Sequence, residues 1–216
     1  MFERLLPDAV ATVETRADAG DDELYPEEAE LVRLAVEKRR REFATGRACA
    51  RAALGRLGVA PAPIGSGPRG EPLWPDGIVG AITHCDGFRA AAVARAADVA
   101  SVGIDAEPAE PLPAGILDSV ASPEERRMLA GLGPGVPFDR LLFCAKEAIY
   151  KAWYPLASAW LGFEDVRLAI DVPAAAFSAE LLVEGPLVGA ARLTGFAGRW
   201  AVEGDVVAAT VVVPPG

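Results

Sequence analysis

The sequence predicts an α+β fold of two pseudo-twofold-related lobes, each with a long helix packed on a small, mainly antiparallel sheet. Two observations predict it. A helical pattern followed by short apolar strands occurs twice along the chain. The two long helical segments also align at an offset of 100 residues. The matched pairs are Arg40 with Arg140, Phe43 with Phe143, Ala48 with Ala148, Arg51 with Lys151 and Ala52 with Ala152. Such a repeat indicates two related halves that meet at a cleft.

The helices are predicted from periodicity and from their start signals. Proline and acids after Tyr25 begin a helical pattern from about Pro26 to Leu57, with a break near Val36. Ser122 followed by Pro and two Glu is a second helix start. The central helix runs from about Phe138 to Leu156, because apolar residues recur there at helical spacing.

The strands are predicted from short apolar runs between turn residues. The lead-in of residues 1–24 is irregular or strand-like, and residues 58–75 form a loop rich in Gly and Pro. We expect strands at 78–84, 166–172, 177–183, 198–203 and 206–213, and a hairpin formed by 89–95 and 99–105 around Ala96-Ala97-Asp98.

Length and composition set the domain organisation. The chain has 216 residues and 51% hydrophobic content, which suits one domain or two small halves with a shared core. We expect an N-terminal lobe of residues 1–105 and a C-terminal lobe of residues 106–216, forming one compact unit. Because one chain then supplies both walls of the cleft, we expect a monomer.

Charge is unevenly distributed. The net charge is −10, yet residues 38–56 contain seven basic residues and one acid, Glu42, so this window is +6 and the remainder −16. The acidic total disfavours nucleic-acid binding. A small polyanion bound at the basic patch is compatible with it, although the patch taken alone favours a solvated helix surface.

The cysteines and the N-terminal residues indicate a compartment. Cys49, Cys85 and Cys144 are odd in number and form no C-x-x-C pair, which favours free thiols. The first eight residues lack the basic start and apolar block of a signal peptide, and no apolar run is long enough to span a membrane. We therefore expect a cytoplasmic protein without membrane contact. A single histidine makes a structural zinc site improbable.

Three carboxylates are the candidates for chemistry. Asp105 and Glu107 end an apolar strand and share one face of it, as i and i+2 residues do. Oxygen ligands of this kind suit Mg²⁺, and Glu147 on the central helix is the natural third ligand. The alternatives are a turn that caps the strand and an ordinary solvated pair of Glu147 with Lys151, four residues on.

Other polar residues suggest phosphate contacts. Thr83 and His84 end a strand, and Arg69 lies in a Gly/Pro-rich loop. The chain has no P-loop, no G-x-S-x-G and no dinucleotide-type glycine pattern. Metal-assisted phosphoryl-type transfer therefore fits these residues best.

Two motifs carry a family resemblance. Gly103-Ile-Asp-Ala-Glu107, followed about forty residues later by Phe143-Cys-Ala-Lys-Glu-Ala-Ile-Tyr-Lys-Ala152, resembles the paired signature of 4′-phosphopantetheinyl transferases. The segments around Thr83, Arg69 and Arg47 resemble the surfactin-type and enterobactin-synthetase branch, especially its actinobacterial members. The resemblance runs from about Leu24 to the C-terminus and implies the same two-lobed fold. That branch's pattern has a lysine where this chain has Glu71. We expect Arg69, two residues earlier, to supply the positive charge of that lysine.

The resemblance implies an activity and a set of roles. The 4′-phosphopantetheine of coenzyme A would pass to a serine hydroxyl of an apo acyl or peptidyl carrier protein, and adenosine 3′,5′-bisphosphate would leave. Fatty-acid, polyketide and nonribosomal-peptide carriers all remain open, and siderophore biosynthesis is one such setting. The implied roles are Mg²⁺ (or Mn²⁺) ligation by Asp105, Glu107 and Glu147; catalysis by Glu147, Lys151 and Asp105; and coenzyme A binding by Arg47, Arg51, Arg69, Thr83, His84, Lys146 and Lys151.

Two other functions are compatible with parts of this pattern. A metal-dependent hydrolase of a nucleotide pyrophosphate would use the same ligands with water as nucleophile. A non-catalytic coenzyme A-binding module would keep the arginines but would need neither Glu147 nor Lys151.

Overall fold

The computed structural model describes residues 1–20 and 23–216. Its strands form two main sheets, and its long helices pack on them. The helices are α1 (Pro26–Leu31), α2 (Glu37–Arg56), α3 (Ile116–Val120), α4 (Pro123–Ala130) and α5 (Phe138–Ala157). The strands are β1 (Val10–Thr15), β2 (Gly65–Ser66), β3 (Pro72–Leu73), β4 (Ile78–Cys85), β5 (Phe88–Arg95), β6 (Ser101–Pro108), β7 (Val166–Asp171), β8 (Ala176–Leu181), β9 (Leu187–Val188), β10 (Ala191–Arg192), β11 (Gly195–Glu203) and β12 (Val206–Val213).

The sheets are antiparallel and small, which confirms the predicted α+β class. One has the strand order β1-β5-β4, and the other has the order β6-β12-β11-β8-β7. The helix α2 packs on the first sheet, and α5 packs on β6 and β12 of the second. Both helices have 20 residues, and α1 and α2 are separate, so the predicted break near Val36 is confirmed. The pseudo-twofold relation between the lobes stays a prediction.

The predicted hairpin of residues 89–95 and 99–105 is wrong. The strand β5 instead forms a hairpin with β4, and β6 pairs along its whole length with β12. The turn between β4 and β5 is Asp86-Gly87, and Gly87 has φ +70°. Two-residue hairpin turns require this left-handed backbone, which glycine adopts without strain, whereas Ala96-Ala97-Asp98 offers no glycine. The predicted lobe boundary at residues 105 and 106 falls within β6.

A glycine brings α5 close to β6. A Cβ atom on Gly103 would lie 1.9 Å from the carbonyl oxygen of Ala148. Ser101, also on β6, donates a hydrogen bond of 2.7 Å to the carbonyl oxygen of Ala152. Any side chain at position 103 would push the helix away, so the small residue sets the distance between the first half of β6 and α5.

The core is apolar, and the cysteines lie within it. The inner face of α5 is buried against the five-stranded sheet, and this face includes Leu142, Ala145, Ile149 and Ala152. All three cysteines are free and buried, as the sequence predicts. In the part of the chain that the structure describes, no helix has the length and apolarity needed to cross a bilayer.

Candidate active site

The site centres on Asp105, near the end of β6. One carboxylate oxygen, Oδ1, accepts hydrogen bonds from Lys151 Nζ at 2.7 Å and from Thr83 Oγ1 at 2.9 Å. The other oxygen, Oδ2, is buried and has no hydrogen-bond partner. A buried carboxylate oxygen without a donor is costly, because it has lost its water and gained nothing in return. This oxygen is therefore suited to receive a ligand.

Lys151 reaches across from α5 to β6. The predicted alternative was a solvated ion pair between Lys151 and Glu147 on the same helix. Among the described residues, the ion pair of Lys151 is with Asp105, at 2.7 Å. The side chain of Lys151 is 27% exposed and that of Asp105 only 7% exposed, so this pair lies at the border of the protein interior.

Glu107 is held by an arginine of α5. Arg140 NH1 lies 3.0 Å from Glu107 Oε2, and the same guanidinium donates to the carbonyl oxygens of Glu110 and Pro111. Burial and the nearby charge of Asp105 raise the pKa of Glu107, while Arg140 opposes this shift. Arg140 thus fixes both the carboxylate and the segment that follows β6.

Glu147 faces the same centre from α5. Burial is the main cause that raises the pKa of its carboxyl group, the charge of Asp105 adds to the shift, and Lys151 opposes it. Asp105 therefore acts electrostatically on both Glu107 and Glu147. Three acidic side chains from two distant segments repel one another in a poorly hydrated region, which is an environment that a cation stabilises.

These residues fit a divalent cation, although the cage is not already formed. Within residues 1–20 and 23–216, no three His, Cys, Asp or Glu side chains are gathered so as to hold a metal ion. The charges of Lys151 and Arg140 lie against two of the acids instead. The all-oxygen donor set and the unpartnered Oδ2 of Asp105 suit a hard cation such as Mg²⁺.

Three adjoining cavities form a groove past this centre. The first, about 340 Å³, is bordered by basic residues and His84; the second, about 470 Å³, by Glu147 and Lys151; and the third, about 340 Å³, by aromatic and apolar side chains. Gly70, Pro72 and Ile82 border both the first and the second cavity. Arg69, Glu147 and Tyr150 border both the second and the third. The groove therefore begins at a cavity with two arginines, continues past Glu147 and Lys151, and ends at a cavity with mainly aromatic and apolar walls.

Comparison with known proteins matches the sequence of this chain to one family. The family model described as 4′-phosphopantetheinyl transferase N-terminal domain matches residues 27–94, and that of the 4′-phosphopantetheinyl transferase superfamily matches residues 101–202. The chain is 57% identical over 100% of its length to 4′-phosphopantetheinyl transferase Svp of Streptomyces mobaraensis, covering 90% of that protein. It is 49% identical over 87% of its length to 4′-phosphopantetheinyl transferase PptT of Mycobacterium tuberculosis, covering 85% of that protein. Enterobactin synthase component D of Salmonella typhimurium is 39% identical over 56% of this chain and 51% of its own length.

The chain belongs to the 4′-phosphopantetheinyl transferase family. The resemblance that the two motifs predicted is confirmed, and the protein is a transferase enzyme. The relative from Salmonella also agrees with the predicted branch.

In this transferase, Thr83 supports Asp105. Thr83 is 1% exposed, and its hydroxyl donates to Asp105 Oδ1 and accepts from the backbone nitrogen of Ala106 at 3.0 Å. Both bonds join β4 of the first sheet to β6 of the second. The predicted phosphate contact of Thr83 gains no support from this geometry, because the hydroxyl is already used within the protein.

Lys146 is buried away from the carboxylate centre. Its ammonium donates to Glu125 Oε2 at 2.8 Å and to the carbonyl oxygens of Val120 and Phe163 at 2.9 and 2.8 Å. Desolvation lowers its pKa, and Glu125 opposes that shift. All three ammonium donors are occupied, so the predicted pyrophosphate contact gains no support here. Lys146 instead ties α5 to α4 and to the chain before β7.

Arg51 of α2 makes a similar contact, although the offset of 100 residues pairs it with Lys151 and not with Lys146. It pairs with the buried Glu28 at 2.8 Å, and Glu28 also accepts from the backbone nitrogens of Tyr25 and Ile64. Glu125 likewise accepts from the backbone nitrogens of Ser122 and Leu168. In each lobe, a glutamate at the third position of a short helix thus binds a cation of the long helix. Arg51 is therefore engaged in the structure of its lobe, and the predicted coenzyme A contact gains no support.

The basic end of the groove contains Arg47 and His84, which were predicted to bind coenzyme A, and Arg39 beside them. Arg47 is buried and donates to the carbonyl oxygens of Ile64 and Gly65 and to Ser66 Oγ. His84 Nε2 lies 2.7 Å from Arg39 NH1 and therefore accepts, so its proton is on Nδ1, which faces Glu42 Oε2 at 3.7 Å. Burial, followed by the charges of Arg39, Lys151 and Arg89, lowers the pKa of His84 to about 4.

Sequence reasoning missed Arg39, Arg140, Tyr150 and Trp160. Trp160 is 64% exposed, its ring lies 5.1 Å from that of Tyr150, and the Arg69 guanidinium lies 5.7 Å from the Trp160 ring. Arg69 therefore contacts the far side of the groove from its loop. Tyr150 had a signal because it lies within the motif of α5, and Arg39 because it lies in the basic window of residues 38–56. The contacts of Arg140 and Trp160 join segments that are distant in sequence.

Proposed function

We propose that this enzyme transfers the 4′-phosphopantetheine of coenzyme A to a serine hydroxyl of an apo acyl or peptidyl carrier protein, with Mg²⁺, and releases adenosine 3′,5′-bisphosphate. The main support for this proposal is the order in which different kinds of side chain border the groove. Coenzyme A has phosphates at its nucleotide end, a pyrophosphate in the middle and a largely uncharged pantetheine arm. The cavity with two arginines, the middle cavity beside Glu147 and Lys151, and the aromatic cavity match these three parts in order, and a cation would lie between the pyrophosphate and the acids.

The nucleotide end belongs at the cavity bordered by Arg39, Arg47 and His84. Arg39 is half-exposed and is held by one hydrogen bond to His84 and a longer ion pair with Glu42, whereas Arg47 is fixed by three hydrogen bonds. Of the two, Arg39 is therefore the one that turns more easily toward a phosphate. The pantetheine arm belongs in the cavity bordered by Tyr150, Trp160 and Phe163. Aromatic walls suit such an arm because they bury its apolar surface, while a few hydrogen-bond donors orient its polar groups. Arg69 lies between the two ends.

The chemistry is placed at Asp105, Glu107 and Glu147. The serine oxygen attacks the β-phosphorus of coenzyme A, its proton is removed, and the bond to adenosine 3′,5′-bisphosphate breaks. These three acids would hold a divalent cation, which would supply charge neutralisation at the pyrophosphate. Lys151 stabilises the same developing charge from α5.

Glu147 is the candidate proton acceptor. Burial and Asp105 raise the pKa of its carboxyl group in the free protein, whereas a bound cation would lower it, so Glu147 would take the serine proton directly or through a water. General base catalysis of this kind typically contributes about 10² to 10⁴ in rate. Thr83 and Arg140 hold Asp105 and Glu107 in place without contact with substrate.

The carrier partner is bound by local contacts. Carrier proteins of this class are usually acidic, and this chain has a net charge of −10, so long-range attraction is weak. We propose an apolar contact near the cleft with a few local arginines, and a monomeric enzyme.

Mass spectrometry tests the proposal. Apo carrier proteins are incubated with enzyme, coenzyme A and Mg²⁺, and each transfer adds one phosphopantetheine to a carrier. Asp105→Ala and Glu147→Ala should abolish transfer while thermal unfolding shows a folded protein. Glu180→Ala, an exposed acid of β8, is the matched control and should transfer normally.

Two results would refute the proposal. Near-normal transfer by either site variant would remove the acids from the chemistry. Cleavage of coenzyme A in the absence of any carrier, with no carrier modified, would make the protein a hydrolase.

A further inference from the structure

We propose that Lys151 is a resident counter-ion of the metal site, which must leave Asp105 before a divalent cation binds there. This inference rests on the proposed function. It extends that function by assigning Lys151 one position in the free enzyme and another in the loaded enzyme, so that coenzyme A and the cation bind cooperatively.

The position of Lys151 is the first step. Its ammonium lies 2.7 Å from Asp105 Oδ1, and the second oxygen of that carboxylate is buried without a partner. An ammonium at hydrogen-bond distance from a ligand oxygen occupies the space and the charge that a cation would take. The described residues contain no preformed metal cage, in agreement with this contact.

The charges give the second step. Asp105, Glu107 and Glu147 together carry −3, Arg140 offsets one charge through Glu107, and Lys151 offsets a second through Asp105. Arg140 also binds two backbone carbonyl oxygens and is therefore fixed in place. Lys151 makes no other hydrogen bond among the described residues and is 27% exposed. Of the two cations, Lys151 is the one that can move.

The groove gives the third step. Lys151 borders the middle cavity together with Glu147 and Arg69, and its four-carbon stem is flexible. When the pyrophosphate of coenzyme A lies in this cavity, the ammonium can leave Asp105 for a phosphate oxygen. Each ligand then aids the binding of the other. The phosphates draw Lys151 away from Asp105, and the divalent cation takes the place of the ammonium beside that carboxylate.

The test measures Mn²⁺ binding by electron paramagnetic resonance, without turnover. Lys151→Met keeps most of the stem and removes the charge. Without coenzyme A, this variant should bind Mn²⁺ at least tenfold more tightly than the wild type. Coenzyme A should strengthen Mn²⁺ binding much more in the wild type than in the variant. Lys38→Met removes the same charge from an exposed pair with Asp86 and should behave as the wild type does.

The outcomes separate this inference from the proposed function. If Lys151→Met binds Mn²⁺ no more tightly than Lys38→Met, Lys151 is not a competing counter-ion, and the proposed metal site stands. If no protein binds Mn²⁺ even with coenzyme A present, the metal site itself fails. Thermal unfolding of each variant shows whether it is folded before binding is measured.

Discussion

The buried pair of Lys146 and Glu125 gives the largest predicted effect on stability. Lys146→Met removes an ammonium that makes three hydrogen bonds of 2.8–2.9 Å. The Glu125 carboxylate, 1% exposed, then keeps only the backbone nitrogens of Ser122 and Leu168 as donors. Breaking a buried pair by removing one partner typically costs about 3–5 kcal/mol, because the remaining charge is left uncompensated. Since native domains are stable by about 5–15 kcal/mol, this loss is a large share of the total.

Urea unfolding measures the effect through the midpoint and the slope. The double variant Lys146→Met with Glu125→Gln should recover part of the loss, because no unpaired charge remains. Lys38→Met breaks a pair whose lysine is 63% exposed and should cost less than about 1 kcal/mol. A loss below about 1 kcal/mol for Lys146→Met, together with a higher KM for coenzyme A, would contradict this reasoning. That result would place the ammonium on the substrate, as the motif alone predicts.

Two further predictions concern the groove. The pKa of His84 is about 4 in the folded protein against about 6.5 in the unfolded chain, so only the unfolded chain gains this proton between these pH values, and stability falls on acidification through that window. Between pH 7.5 and 5, the free energy of unfolding of His84→Gln, measured in urea, should fall by about 1 kcal/mol less than that of the wild type. Solvent screening keeps this difference small, because the His84 side chain is 35% exposed. Equal losses in the two proteins would contradict the prediction. Trp160→Ala should raise the KM for coenzyme A about 5- to 30-fold with little change in melting temperature, because the ring borders the apolar cavity and is 64% exposed. Leu187→Ala, at a similarly exposed apolar residue outside the groove, is its control, and an unchanged KM for Trp160→Ala would exclude the ring from the binding site.

The sequence determined most of the elements and the acids proposed as ligands, because those signals are local. Helical spacing predicted α5 to within one residue, and the serine start predicted α4. Asp105 and Glu107 were identifiable because two residues on one strand share a face. The hairpin was assigned to the wrong strands, although Asp86-Gly87 was a local signal that pointed to the right ones.

Only the tertiary structure decided what each charge faces. Spacing along a helix predicts neighbours on that helix, so it paired Lys151 with Glu147, whereas the ammonium lies on Asp105 of another element. The same limit applies to Lys146, which the motif places beside Glu147 and the fold buries against Glu125. Burial and the approach of distant segments set the partner of a charged side chain, and neither quantity is written in the spacing of residues along one element.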